Sequence, residues 1–474
     1  MKMIYGVKDK PAFGQMIIFA IQQLLAIMAA TLVVPIIIGN GMQPSAALFG
    51  AGLGTIVYLL FTKFNSPVFL GSSFAFLGSM AAAFAGASSV ALGYVGLILG
   101  AIFGGLVYVV IALIVKIAGV KWINVLMPTV VIGPTVSIIG LSLAGNAVGD
   151  LQKGEVMKEV TNTVAKFNET SGAYELVEEV ANVPVASVYA CIIVGLVTLA
   201  VTMIASVYGK KMMKLIPFII GILAGYVVAA IMTIIGNVAG IDAIKIIDFS
   251  YFTALTADGF GLSTFFTVPE FTFLTAFGGF GEITGSYIAT IAVAYVPVAF
   301  VVFAEHIADH KNLSSIIEQD LLENPGLHRT LLGDGVGSMV GAIFGGCPNT
   351  TYGESVGCVA ITKNASVVTI ATAAILSIIV AFFRPFVAFV DSIPPCIMGG
   401  VCIALYGFIA VSGLKMIQKV DLEQNKNLFV VSVILICGIG GLAINFGAVT
   451  LTNIATALIL GILTNLMLKN AKEQ

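Results

Sequence analysis

Residues 347–357 read Cys347-Pro348-Asn349-Thr350-Thr351-Tyr352-Gly353-Glu354-Ser355-Val356-Gly357. The stretch lies in the middle of a long apolar region, yet it carries a proline and several glycines where a membrane-crossing helix would run, and then a carboxylate. Two costs are met together: interrupted backbone hydrogen bonding, and an ionisable group far from water. In lipid, such backbone is tolerated only where protein or a hydrated cavity covers it. An ionisable group at that depth marks a functional site. The segment is therefore read as part of a ligand site inside a membrane protein.

Working outward, the composition agrees. Hydrophobic residues make up 59% of the 474 residues and charged residues 10%, with a mean hydropathy of +1.07; soluble domains carry about 25% charged residues. Apolar runs of about 20 residues, the length a bilayer core requires, recur from end to end. They are too long for the alternating segments of about 10 residues of a transmembrane barrel. The net charge of −2 by itself says nothing about partners, since its distribution matters and its sum does not; no nucleic-acid partner is expected. Lys2, Lys8 and Lys10 precede an apolar run too long for a cleaved signal peptide. The six cysteines, Cys191, Cys347, Cys358, Cys396, Cys402 and Cys437, all fall in apolar segments without a C-x-x-C pair, and are read as small core residues.

Fourteen spans are expected: 13–38, 45–62, 67–85, 91–115, 122–145, 183–208, 212–238, 284–308, 328–345, 348–366, 367–390, 394–413, 427–444 and 449–468. Polar excursions occupy 146–182 and 239–283, the second mixed enough for a surface helix or strand. With a cytoplasmic N-terminus, Lys153, Lys158, Lys166, Lys245 and Arg384 fall outside, and the other seventeen of the 22 basic residues fall inside. This is the expected positive-inside bias. Removing one span would invert everything after it, so an even count with both termini cytoplasmic is favoured. Pro128, Gly133 and Gly140 share their spacing with Pro395, Gly400 and Gly407, seven spans later. The third span is broken at Pro67, Gly71, Ser72, Ser73 and Phe74, as the tenth is at Pro348, Gly353, Glu354 and Ser355. Matching breaks in two oppositely oriented halves point to an inverted seven-plus-seven repeat with the site between them.

Glu354 leads the candidate residues. Glu305 ends the apolar run Ile288 to Ala304, and Asp309 follows on the same helical face. His306 and His310 alone lack the further ligands of a metal site; a solvated helix end is the expectation for them. Backbone N–H groups freed after Gly71 and Gly353 offer donors to carbonyl oxygens. Phe74 and Tyr352 offer faces to a flat ring. The set describes a site for an uncharged planar heterocycle carrying N–H and C=O groups. Gly333, Gly337, Gly341 and Gly345 repeat every four residues, the pattern of close helix approach, and no nucleotide-binding fingerprint accompanies them.

At these residues the chain resembles the nucleobase–ascorbate transporter family, and within it the bacterial uracil permeases. The likeness is strongest at Ala304-Glu305-His306-Ile307-Ala308-Asp309, Asn324-Pro325-Gly326-Leu327-His328-Arg329 and Asn349 to Glu354. Glu354, Gly357, Thr362 and Lys363 meet the signature Q/E-N-x-G-x-x-x-x-T-R/K/G, and Leu70 to Phe76 matches the family's third span. The resemblance implies an all-α polytopic membrane protein of fourteen spans in two inverted repeats, with short strands in the broken spans 3 and 10. A core (1–120 and 284–391) would move elevator-like against a gate (121–283 and 392–474), often as a homodimer in the cell membrane. It implies proton-coupled import of uracil, without cofactor or metal. Glu305 and Glu354 would hydrogen-bond the base, Phe74 and Tyr352 would lie against it, and backbone at Ala30 and Gly353 would complete the pocket. Glu305 and Asp309 would handle the proton. Three positions depart from the pattern: Ser355 where Asn is usual, Gln22-Gln23 where many members have Gln-His, and Asp309 where uracil permeases carry His. A xanthine or uric acid permease is the alternative within the family; a channel or an intramembrane enzyme using the two glutamates lies outside it.

Overall fold

The computed structural model describes residues 3–119, 128–168, 173–210, 212–257, 259–446 and 449–469. Helices dominate. In chain order they are α1 (Phe13–Ile38), α2 (Pro44–Phe61), α3 (Leu77–Ala85), α4 (Val90–Ala118), α5 (Thr129–Ser142), α6 (Ala144–Asp150), α7 (Val188–Tyr208) and α8 (Pro217–Ala239). After a stretch of short helical turns come α9 (Gly285–Ile317), α10 (Leu327–Gly345), α11 (Gly353–Thr362), α12 (Val367–Ala381), α13 (Arg384–Asp391), α14 (Pro395–Ile417), α15 (Asn425–Ile439) and α16 (Asn453–Leu468). Eight stretches among the described residues are helical, long and apolar enough to cross a membrane: α1, α2, α4, α5 with α6, α7, α8, α9 and α14. The beginning of the expected fifth span, 122–127, lies outside the described residues; its helix runs on to Asp150, past the expected end at 145.

The helix ends follow local chemistry. Pro44, Pro217 and Pro395 each stand in the first turn of their helices, where a missing N–H costs nothing. Ser89 caps α4 by accepting from Leu92 N, and Thr284 caps α9 by accepting from Tyr287 N, the usual side-chain remedy for unpaired donors.

Among the described residues, three two-stranded antiparallel ladders accompany the helices. β1 (Leu70–Ser72) pairs with β4 (Asn349–Thr351), with Gly71 opposite Thr350. This interrupts the apolar segments before α3 and α11 where the prolines and glycines predicted a break. β2 (Met157–Asn168) pairs with β3 (Ala173–Pro184) in a long hairpin within the first polar excursion, and β5 (Ile444–Phe446) pairs with β6 (Val449–Leu451). The described residues of the second excursion hold short helical turns, such as Ser250–Thr253 and Thr272–Ala276, and an isolated bridge from Phe266 to Phe383.

Two sets of helices pack internally. α10 lies against α2 and α4, α12 against α2 and α1, and α9 against α4 and α3; in the other set, α14 lies on α5 and α7, α7 on α8, and α15 on α5 and α16. The α2–α10 contact is set by glycines. A Cβ on Gly337 would come within 2.7 Å of Gly54 O, and one on Gly345 within 2.6 Å of Ala46 O. The four-residue glycine repeat therefore serves backbone approach.

Candidate functional site

β1 and β4 sit at the centre of the first set. Their short ladder satisfies backbone groups that a broken helix would leave bare, and Ser73 N continues it to Pro348 O at 2.9 Å. Each strand then turns into a helix: a single tight turn at Phe74–Phe76 leads into α3, and Tyr352 stands at the start of α11. The two helix beginnings diverge from the strand pair and leave N–H donors at one place.

A cavity of about 430 Å³ opens there, within the size range of small-ligand sites. Ser73, Phe74 and Ala75 line it from one broken segment, and Thr350 to Glu354 from the other. α9 contributes Ala304, Glu305, Ala308 and Asp309, and α1 contributes Ala26. The opposing wall belongs to the second set of helices, with Phe218, Leu405, Phe408 and Met416 among its residues. The cavity extends to Ser206, Lys214 and Ser412, where α7 and α14 end and α8 begins. This is also the end of the molecule where the N-terminal strap lies, since Ile4 N bonds Lys363 O just past α11.

Six of the seven residues expected at the site line this cavity together: Phe74, Glu305, Asp309, Tyr352, Gly353 and Glu354. Ala30 is buried one turn further along α1, in the apolar cluster with Leu70 and Tyr352, and Ala26 takes the lining position. Glu354 stands in the first turn of α11, where the helix dipole favours a negative charge. Asp309 Oδ2 accepts from Thr351 Oγ1 at 3.1 Å, which ties α9 to β4. Tyr352 Oη donates to Ser72 O at 2.6 Å, so its ring is held across the strand pair. A Cβ on Gly71 would collide with that ring. Phe74 meets Tyr406 of α14 edge-on, centroids 6.1 Å apart.

One expectation needs correction. His306 and His310 are not on a solvated helix end, because α9 continues to Ile317 and both rings are fully buried. His306 Nδ1 lies 2.7 Å from Asp334 Oδ2, and His310 Nε2 lies 2.7 Å from Tyr58 Oη. Hydropathy misplaced them because a polar side chain with a partner can be buried, and the partners lie on α10 and α2. The wall from α5, α8 and α14 was also unforeseen. Its side chains are ordinary apolar residues, with nothing in their sequence to separate them from lipid-facing ones.

A paired broken-strand site between packed helices defines the class of protein, a membrane transporter, and the comparisons specify it. Residues 14–446 match the family model Xan_ur_permease, described as a permease family. The uracil permease of Bacillus caldolyticus is 38% identical over 471 residues, covering 98% of this chain and 95% of that protein. That of Bacillus subtilis is 36% identical, covering 100% and 97%, and that of Escherichia coli K12 is 34% identical, covering 98% and 94%. The chain therefore belongs to the nucleobase–ascorbate transporter family, as a multi-pass membrane permease and not an enzyme. Among solved structures, the transmembrane domain of the cyanobacterial bicarbonate transporter BicA aligns with a TM-score of 0.57 at 12% identity, covering 96% of this chain and 98% of that one. Murine Slc26a9 aligns with 0.61 at 10% identity, covering 98% and 69%. These distant likenesses concern the fold.

Proposed function

We propose that the protein is a proton-coupled uracil importer of the cell membrane, with both termini cytoplasmic. It would work by alternating access through fourteen spans in two inverted repeats. The observation that carries this reading is the convergence of two helix beginnings, an aromatic face and two carboxylates, Glu305 and Glu354, on one cavity. Uracil is planar, with two carbonyl oxygens and two ring N–H groups. The helix-start N–H groups are donors to the carbonyls, Glu354 accepts from a ring N–H, and the Phe74 face packs on the ring. The identity to proteins named uracil permeases supports the choice of base.

The first set of helices, residues 1–120 and 284–391, would be the moving core, and 121–283 with 392–474 the gate, within a homodimer. The cavity is walled by both sets and opens at the end carrying the N-terminus. In the proposed orientation this is an inward-facing arrangement. Glu305, with Asp309 beside it, takes the proton outside and gives it up inside.

Uptake of radiolabelled uracil into liposomes, with and without an inward proton gradient, tests the proposal. Accumulation that follows the gradient is expected. Competition by xanthine stronger than by uracil itself would replace uracil with a purine, and uptake that never saturates would indicate a channel. Glu354→Ala is expected to abolish uracil binding; binding by that variant at wild-type affinity would sink the site assignment.

A further inference from the structure

α11 presents Glu354 to the cavity and is ten residues long. A helix of that length is marginal by itself, so what fixes its two ends decides where its side chains stand. Support is thin on the cavity side. Glu354, Gly357, Cys358 and Ile361 line the open space, and a Cβ on Gly353 or Gly357 would meet nothing within 4 Å. The beginning of α11 is anchored by the β1–β4 ladder and by the bond from Tyr352 Oη to Ser72 O. Its other end lies at Lys363.

There the segment before α1 is docked. Ile4 N donates to Lys363 O at 2.8 Å, and Tyr5 N donates to the same oxygen at 3.3 Å. In return, Ala365 N donates to Tyr5 O at 2.9 Å and Val367 N to Val7 O at 3.1 Å. Tyr5 and Asn364 thereby form a parallel bridge. Each bond runs from an amide N–H to a carbonyl oxygen, so its direction is fixed. Ser366 Oγ adds a bond to Asp9 O at 2.6 Å. A helix leaves carbonyls unpaired at its end and N–H groups unpaired at its start. Lys363 O closes α11 and Val367 N opens α12, and residues 4–7 pair with both. Lys363 also sits in the left-handed region, with φ 54°, which a non-glycine residue keeps only where its surroundings hold it. Val7 is buried in the apolar cluster that contains Tyr352, Val356 and Val359.

We propose that residues 4–7 are a positioning element for substrate binding: by capping the end of α11 and the start of α12 together, they hold α11 rigid and Glu354 in place at its far end. This rests on the reading above in which Glu354 meets the base. Lys8 Nζ donates to Phe64 O, just past α2, at 3.1 Å. The partners of this segment thus belong to the first set of helices, and residues 4–8 travel with α11 whichever way the cavity faces. Loss of the cap leaves Phe74 and Glu305 where they are and loosens one carboxylate.

The test uses the purified full-length protein. Ile4 has an exposed side chain, and Ile4→Pro removes its N–H from Lys363 O without touching a residue that lines the cavity. The Kd for uracil by equilibrium binding is expected to rise about threefold or more, the worth of one hydrogen bond. Amide hydrogen exchange across 353–362 should quicken while that of α7 and α8 stays as in wild type. A lower thermal midpoint with Kd and α11 exchange both unchanged would overturn the proposal, because the segment would then serve stability alone. Faster exchange with an unchanged Kd would also overturn it. Should Ile4→Pro fail to fold, Val7→Ala decides by the same two readings, since it keeps the backbone bonds and trims the buried anchor. Wild-type protein that binds no uracil would defeat the uracil reading instead, and exchange in α11 alone would then decide whether residues 4–7 hold it.

Discussion

Gln23 and Ser355 are two of the three positions at which the chain departs from its family's pattern, and they are hydrogen-bond partners. Gln23 Nε2 donates to Ser355 Oγ at 2.5 Å, and Phe69 N donates to the same oxygen at 3.1 Å. All this lies under the floor of the site, where Ser355 is fully buried and Gln23 nearly so. The two positions are thus joined across the floor of the site. Ser355→Ala would leave a buried amide and a backbone N–H unpaired. A buried donor without a partner costs about 1–3 kcal/mol, so a lowered midpoint in thermal unfolding of the purified protein is expected. Glu354 was readable from the sequence because a carboxylate in an apolar run is rare. The pairing of Gln23 with Ser355, 332 positions apart, was not, because nothing in a sequence read locally brings such distant residues together. His306 and Asp334 escaped for the same reason.

At the level of elements, the broken segments are where sequence and structure meet most closely. Pro348 and Gly353 bracket β4 and Gly71 lies within β1, so the strands form where helix is unfavourable. What joins them is the packing of α2 and α10, whose glycines let the backbones approach until Asn349 Nδ2 reaches Gly50 O at 2.9 Å. Gly71→Ala should drive the Tyr352 ring from Ser72 O and weaken uracil binding, read as a raised Kd by equilibrium binding. Gly337→Ala sets a methyl group 2.7 Å from Gly54 O and 2.8 Å from Leu70 Cδ1. Overpacking of this kind costs about 1–3 kcal/mol, and the expected readout is a lower thermal midpoint with the strand pair displaced. α10 itself is less apolar than its neighbours, since its buried residues include five glycines, Ser338, Thr330 and Asp334 beside Leu327, Leu331 and Ala342. Its identity as a packed element came from the four-residue glycine spacing.

For the whole molecule, the cavity lies between two sets of helices and opens at one end. Ser412→Cys, on the α14 wall near that opening, should react with a membrane-impermeant thiol reagent from one side of the membrane only. Bound uracil should slow the reaction several-fold. Reaction from both sides at equal rates would contradict a one-sided opening. At this scale the sequence determined the class and pointed to the candidate site. Long apolar runs require helices in lipid, and residues that break a helix beside a carboxylate mark where a ligand replaces the missing interactions. Only the tertiary structure decided which ordinary side chains face the cavity, that both histidines of α9 are buried, and that Asp334 partners His306 while Tyr58 partners His310. Burial and hydrogen bonding between distant segments depend on how helices pack, and a sequence read locally carries no distance between them.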